Sequence, residues 1–477
     1  MTSLTASLHS LADLRGRRVL VLGLARSGIA AARALSAAGA LVTAYDRRPL
    51  AELGEAAASL ADLGVTLAAG VAPDRVDALL SEADLLVTSP SISPDSPTTD
   101  TWLRKALAGA RQRGVEIVSE VDLFLRLSQA RVLAITGTKG KTTTTTMIGS
   151  IFTAAGVRHL VGGNIGRPLI EEVATLGPTD WAVLELSELQ LPTISRGAEI
   201  AVYTNIGADH LDRHASRQAY RAVKARLAEL TVRSGRVVLN ADDPGCRELG
   251  ARLPAAAIAW YALDAQQPGL SARLSDGWLT VRDERVLAAD ELPLPGRHML
   301  ADALAAALAA DLAGVAPSVI GAGLRGFSGV AHRLELIGEW RGVRWVNDSQ
   351  ATIPVAAVAA LRAFAPARVV LIAGGKDKGL DYEELADEIA AHCAAVVLIG
   401  ETAEELQRLV AGRVASHRAG SMDEAVTLAA RLARPGEVVL LAPAAASFDM
   451  FDDYAARGDA FRSAVLAVTP VASESDR

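Results

Sequence analysis

The sequence predicts an α/β protein of several domains with largely parallel sheets. Three observations carry this. Short aliphatic runs alternate with alanine-rich helical stretches along the whole chain. At 477 residues the chain is long enough for two to four domains at ~100–200 residues each. Half of its residues are hydrophobic but only 4% are aromatic, which suits alanine-rich helices packed on Val/Ile/Leu strands.

The elements follow in order. Arg18–Leu22 reads as the first strand, Ile29–Ala38 as a helix and Leu41–Tyr45 as the second strand, with Asp84–Thr88 and Val115–Val118 continuing the series. Glu120–Leu127 is a helix leading to a new strand, Arg131–Thr136, which runs into a glycine loop. Ala182–Glu185, Ala201–Thr204 and Val237–Asn240 are further buried strands. Between Ala255 and Glu291 short alternating runs, Gly277–Asp283 and Glu284–Leu287, predict a small hairpin. Asp302–Leu312 is an alanine-rich helix. A third series starts near Leu334 and continues through Val343–Val346, Val369–Ala373, Ala395–Ile399 and Val438–Leu441. Boundaries are expected near Ser119 and Gly329, giving domains 1–119, 120–329 and 330–477.

Composition excludes several function classes. The net charge of −7 argues against a generally basic nucleic-acid binder. The two cysteines, Cys246 and Cys393, offer neither a disulfide scaffold nor a Cys-based zinc site, which fits a reducing, cytoplasmic setting. Met1 to Arg18 does not read as a signal peptide. No charge-free apolar run reaches the ~18–20 residues that span a bilayer. The basic residues are nearly all arginine; lysine occurs only at Lys105, Lys139, Lys141, Lys224, Lys376 and Lys378.

The strongest motif is Gly137-Thr138-Lys139-Gly140-Lys141-Thr142-Thr143, between a strand and a threonine-rich helix start. Glycines let backbone N–H groups curl around phosphate oxygens, and the helix N-terminus adds positive potential. Lys141 would reach the β/γ-phosphates and Thr142 would ligate Mg²⁺. Glu185 ends a buried strand, where α/β proteins bind ligands, and is a second Mg²⁺ candidate. Thr204 to Asp212 closes another strand in polar residues, of which Asp209 and His210 could bind metal. His210, Asp212 and His214 alone resemble a zinc set, but no matching cluster exists elsewhere in the chain. The glycine turn Gly23–Gly28 and Asp46 also fit a dinucleotide site, a reading that leaves the second nucleotide loop unexplained.

Taken together these segments resemble the Mur ligase family, the ATP-dependent amide-forming enzymes of peptidoglycan synthesis. GTKGKTT, ELSELQ from Glu185, TNIGADHLD from Thr204, GGNIG from Gly162, NADD from Asn240, HRLE from His332 and NDSQAT from Asn347 stand in the family's order. Within the family the chain is most similar to members that join glutamate to UDP-N-acetylmuramoyl-L-alanine. The segments carrying this are Gly23–Gly28 with Asp46-Arg47-Arg48, Gly374–Gly379, and Ala442–Phe451.

The resemblance implies a Rossmann-like N-terminal domain for the UDP substrate, a central P-loop ATPase domain and a Rossmann-like C-terminal glutamate domain. It implies ATP and two Mg²⁺, a monomer, and neither membrane nor nucleic acid as partner. Gly137 to Thr143, Asp302, Arg333 and Asp348 would hold ATP. Thr142, Glu185, His210 and Lys224 would hold metal, Lys224 as a CO₂-derived carbamate, and Lys141, Glu185, His210 and Lys224 would be catalytic. Arg26, Ser27, Asp46, Arg47, Asn164, Ser187 and Gln190 would bind the UDP substrate. Thr352, Lys378, Ser447 and Tyr454 would bind glutamate, with D-glutamate expected and an L-glutamate enzyme or another Mur-type ligase as alternatives. A non-catalytic nucleotide-binding protein is a third reading.

The chain departs from the family pattern at Gln350, where Lys is usual, at Ile353, at Glu188, and at Met299 and Asp302, which replace two asparagines.

Overall fold

The structure, a computed structural model, describes residues 10–94, 98–207, 216–264, 269–293 and 296–469. The chain falls into two compact units, residues 1–327 and 328–477. The expected boundary near Ser119 lies inside the first unit, which carries two sheets.

The first sheet contains β1 (Arg18–Leu22), β2 (Leu41–Asp46), β3 (Thr66–Ala69), β4 (Leu85–Thr88) and β5 (Glu116–Ser119). Its order is β3-β2-β1-β4-β5 and all of its pairs are parallel. The strand order reverses beside β1, so the β1 and β4 loops open a crevice at the carboxyl end. The helix after β1 spans Arg26–Ala37, three residues earlier than its sequence pattern suggests. It starts early because Gly28 lies against the carbonyl of Gly23: a Cβ there would sit 1.8 Å from that oxygen. This close turn places Arg26 and Ser27 in the first helical turn.

The second sheet contains β6 (Arg131–Thr136), β7 (His159–Gly163), β8 (Trp181–Glu185), β9 (Ile200–Tyr203), β10 (Arg236–Asn240), β11 (Ile258–Ala262), β12 (Leu270–Ser275), β13 (Trp278–Val281) and β14 (Glu284–Ala288). Its order is β14-β13-β12-β11-β10-β9-β6-β8-β7. The expected two-stranded hairpin is instead a three-stranded antiparallel extension, β12-β13-β14. Two tight turns build it. Asp276-Gly277 (φ 49° and 77°) and Arg282-Asp283 (φ 48° and 66°) both have the paired positive φ of hairpin turns. The second turn falls where the two expected strands divide, and β12 with the first turn is the addition.

The helix Glu120–Leu127 links the two sheets and is buried along nearly its whole length. Ser119 caps it through the Asp122 N–H at 3.1 Å. Asp122 in turn accepts the N–H and hydroxyl of Ser195 at 2.6 and 2.8 Å. One apolar cluster runs from Val19 and Val42 through Leu123 and Phe124 to Leu184 and Leu239. The helix Arg297–Leu312 presents Ala303–Ala310 with no exposed surface, because alanine lets it approach the helix Lys141–Ala154 and the sheet closely.

The second unit has one sheet: β15 (Glu335–Trp340), β16 (Val343–Asn347), β17 (Val369–Gly374), β18 (Cys393–Ile399), β19 (Ala415–Arg418) and β20 (Val438–Leu441). Its order is β15-β16-β20-β17-β18-β19, and only the β15–β16 pair is antiparallel. Adjacent strands β16, β20 and β17 send their carboxyl-end loops to one edge of the sheet. Those loops carry Thr352, Ser447 and Lys378. No helix of the described residues is long and apolar enough to cross a membrane.

Candidate active site

The loop after β6 is shaped by two glycines. Gly137 (φ 154°) approaches so closely that a Cβ would lie 2.0 Å from Thr204 Oγ1, and Gly140 (φ 82°) would put one 2.3 Å from Asp302 Oδ1. Asp302 is therefore packed against the start of the phosphate-loop helix. Asn205 fastens the loop: its carbonyl accepts the Thr138 N–H and its side-chain oxygen the Lys139 N–H, both at 2.9 Å. Its amide group donates to the Lys139 carbonyl at 3.0 Å. Thr138 Oγ1 lies 3.1 Å from the Tyr220 hydroxyl and accepts the Gly207 N–H at 3.0 Å. Lys141 folds back, its Nζ donating to the Thr138 carbonyl at 3.1 Å. Asn205, Tyr220 and the loop's own Lys141 thus hold its shape, and of these Asn205 makes the most contacts to it.

Glu185 ends β8 beside this loop and is 1% exposed. Its carboxylate accepts the Thr142 hydroxyl at 2.6 Å and the Asn164 amide at 2.8 Å. The Asn164 N–H also donates to the Glu185 carbonyl at 2.9 Å. A metal-type carboxylate, a phosphate-loop hydroxyl and a residue of the GGNIG turn are joined. Thr142 and Glu185 are hard oxygen donors and suit Mg²⁺.

Lys224 is fully buried. Its Nζ donates to Thr136 Oγ1 at 3.1 Å and to the Gly137 carbonyl at 3.0 Å, and sits 5.5 Å from the centre of the Tyr220 ring. It grips the phosphate loop from beneath and is no surface lysine. Asp209, His210, Asp212 and His214 lie outside the described residues. Thr143 is buried in the first turn of the helix.

Arg26, Ser27, Asn164, Ser187 and Gln190 line one cavity of about 210 Å³, with Ser89 of the β4 loop. Arg26 reaches the Gly166 carbonyl at 2.9 Å, and Gln190 Oε1 accepts the Ser187 N–H at 2.9 Å. Asp46 and Arg47 behave differently. Both oxygens of Asp46 are engaged inside the protein, accepting the Leu24 N–H at 2.8 Å and three donors of Arg48 at 3.0 Å. Burial alone would raise the Asp46 carboxyl, but these bonds hold it below its ordinary value. Asp46 therefore shapes the β1 turn. Arg47 is 75% exposed and faces Asp100 at 3.7 Å; its neighbour Arg48 lies against Leu24.

In the second unit, Arg457 ties the loops together. It is fully buried, donating to Ser349 Oγ and O at 3.0 Å and to the carbonyls of Ala445 and Ala446 at 3.1 Å. Burial lowers its guanidinium to about 10. The Lys376 N–H donates to the Ala446 carbonyl at 2.8 Å, bringing in the β17 loop. Ser447 is buried, and its carbonyl accepts the Met450 and Phe451 N–H groups at 3.0 and 2.9 Å. Thr352 is partly buried. Lys378 is exposed, whereas Lys376 is spent on Glu401 at 2.7 Å. The Tyr454 ring meets His332 edge-on with centroids 6.3 Å apart. Asp348 is buried and accepts the Leu334 N–H at 3.1 Å. Burial pushes its carboxyl up to about 6, against the pull of that N–H and of Arg333.

These parts define a phosphate-loop α/β protein whose nucleotide loop abuts a second, polar cavity, with a separate α/β unit behind it in sequence. Comparison with known proteins gives the class its family. The Mur ligase middle domain matches residues 135–310, and the Mur ligase glutamate ligase domain matches residues 332–445. The chain is 40% identical over 459 residues to the UDP-N-acetylmuramoylalanine--D-glutamate ligase of Solibacter usitatus, covering 96% of this chain and 99% of that protein. The enzyme of that name from Symbiobacterium thermophilum is 40% identical, with 95% and 98% covered. Among solved structures, UDP-N-acetylmuramate-alanine ligase MurC from Thermotoga maritima shares the fold at TM-score 0.56 and 19% identity, with 94% and 98% covered. The chain belongs to the Mur ligase family, whose members are ATP-dependent amide-bond-forming ligases.

Proposed function

We propose that this chain uses ATP to join D-glutamate to UDP-N-acetylmuramoyl-L-alanine, forming a peptidoglycan precursor. The observation that carries the reading is the Thr142–Glu185–Asn164 link, which places the phosphate loop against the cavity lined by Arg26, Ser27, Ser187 and Gln190. Near-full-length similarity to ligases of that name supports the substrates.

A carboxylate is a poor electrophile. The γ-phosphoryl group of ATP is transferred to the substrate carboxylate oxygen, giving an acyl phosphate and ADP. The glutamate amine attacks the carbonyl carbon, loses a proton, and inorganic phosphate leaves. Such transfer needs positioning and charge neutralisation rather than a protein nucleophile. In this reading the Gly137–Thr143 loop and Lys141 hold the phosphates, with Asp302, Arg333 and Asp348 as further ATP contacts. Thr142, Glu185, His210 and a carbamylated Lys224 would hold Mg²⁺, which when bound would supply neutralisation of the phosphate charge. Asn164 orients the Glu185 carboxylate. Thr352, Lys378 and Ser447 receive the glutamate, a cation and two hydroxyls being suited to a carboxylate. The enzyme works as a cytoplasmic monomer.

The test is phosphate release with ATP, Mg²⁺ and UDP-N-acetylmuramoyl-L-alanine, comparing D- and L-glutamate. Turnover that requires the UDP substrate and D-glutamate is expected. Equal or faster turnover with L-glutamate overturns the stereochemical assignment, and no turnover with either overturns the substrate pair.

A further inference from the structure

Arg333 stands between two residues in left-handed backbone, His332 at φ 61° and Leu334 at φ 46°. Neither is glycine, so both conformations persist only because their surroundings hold them. The surroundings are a buried polar network at the first cross-strand pair of β15 and β16, Glu335 opposite Asn347. Glu335 Oε2 accepts the His332 N–H at 2.9 Å and the Asn347 amide at 3.1 Å. The Asn347 amide also lies 3.0 Å from His332 Nδ1. Arg462 donates to the other Glu335 oxygen. Gly458 leaves room for the imidazole: a Cβ there would sit 2.1 Å from His332 Nδ1.

The contrast with Arg333 itself is sharp. His332 and Glu335 are buried, while Arg333 is exposed, its charge felt by the Asp348 carboxylate that accepts the Leu334 N–H. A strained turn held by these buried hydrogen bonds thus presents one exposed planar cation. A preorganised guanidinium binds a phosphate in a bidentate manner without first ordering its backbone.

We propose that Glu335 is a positioning residue: through His332 and Asn347 it holds the turn that presents Arg333 to a phosphate group of the nucleotide. This rests on the reading of Arg333 as an ATP contact. Glu335 touches no substrate and acts only through Arg333.

The test is a double-mutant cycle on the full chain, reading kcat/KM for ATP with the other substrates saturating. Arg333→Ala is expected to lower it by roughly 100-fold and Glu335→Ala by roughly 10-fold, with the double variant no worse than Arg333→Ala alone. The KM for the UDP substrate stays within about twofold throughout. Gly458→Ala disturbs the same turn from the other side and is expected to show the same non-additivity with Arg333→Ala. If Glu335→Ala does not fold, Gly458→Ala, whose Cβ would meet the His332 imidazole, takes its place in the cycle and is judged by the same outcomes. Loss in Arg333→Ala with an additive or absent effect of the Glu335 variant overturns the positioning role and leaves the Arg333 assignment standing. Full activity in Arg333→Ala overturns that assignment and the positioning role with it.

Discussion

The Thr142 hydroxyl donates to the Glu185 carboxylate at 2.6 Å, across 43 positions of sequence. One residue lies in the first turn of the phosphate-loop helix and the other ends β8, two strands of the chain later. They meet because β6 and β8 are parallel neighbours with Ile135 opposite Glu185, so both carboxyl ends open at the same edge. Glu185 also takes the Asn164 amide, and no oxygen of it is left without a protein donor.

Glu185→Gln tests whether that carboxylate is needed as a charge or as a hydrogen-bond acceptor. The amide keeps one acceptor oxygen but offers a cation no negative charge. Phosphate release is expected to fall by roughly 100-fold or more, as for loss of one preorganised electrostatic group. The melting temperature should change little. Phosphate release at rising Mg²⁺ checks this, and wild-type turnover at all Mg²⁺ concentrations would remove Glu185 from the chemistry.

Lys224 separates two chemistries. Its ammonium donates to Thr136 Oγ1 and the Gly137 carbonyl, whereas a carbamate nitrogen keeps one N–H and gains two acceptor oxygens. Lys224→Ala is expected to abolish ligation and to destabilise the fold by about 1–3 kcal/mol for each buried acceptor left without a donor. Added small carboxylates should restore part of the turnover if the carbamate is the working form. Rescue by a small alkylamine and not by acetate would instead identify the ammonium as the working group.

How much of this was legible in the sequence depended on whether the signal was local. β6 and its glycine loop announce themselves through one aliphatic run and two glycines. Arg26, Ser27, Asn164, Ser187 and Gln190 were reached through short motifs, and they line one cavity. The strand β12 was hidden because only Ala272 of Leu270–Ser275 is buried, so no apolar run marks it. At Asp46-Arg47-Arg48 it is Arg48 that turns back to the Asp46 carboxylate, a tertiary contact with no local mark. Arg457 carries no local mark at all: a buried arginine looks like a surface one until the carbonyls of Ala445 and Ala446 are placed around it.

Glu120 gives the pH dependence. It is buried at the start of the linking helix, and burial raises its carboxyl to about 8 from 4.5, opposed by the Ile170 N–H and reinforced by Glu171. An acid whose folded value is raised keeps its proton when the unfolded chain has lost it. Its contribution is therefore most favourable below pH 4.5 and declines as pH rises toward 8. Glu120→Gln needs no proton and keeps an acceptor for Ile170. The variant should gain roughly 2–4 kcal/mol over the wild type across that window. Melting temperature against pH for both proteins gives the difference curve, and a curve that is flat from pH 5 to about 8 rules out the shift.

Arg457 predicts a loss confined to one substrate. Its guanidinium spans Ser349 on the β16 loop and Ala445 and Ala446 on the β20 loop, and a lysine at that position has one nitrogen for acceptors on two sides. Arg457→Lys should keep the fold but loosen the Ser447 loop, raising the KM for glutamate by about tenfold while the KM for ATP stays within about twofold. Arg457→Met leaves the carbonyls without donors, costing about 1–3 kcal/mol for each one that water does not reach. Thermal melts order the three proteins as wild type, Lys, Met. Steady-state kinetics on the lysine variant then decide the point: an equal rise in both KM values would mean that Arg457 supports the unit as a whole rather than the glutamate loops.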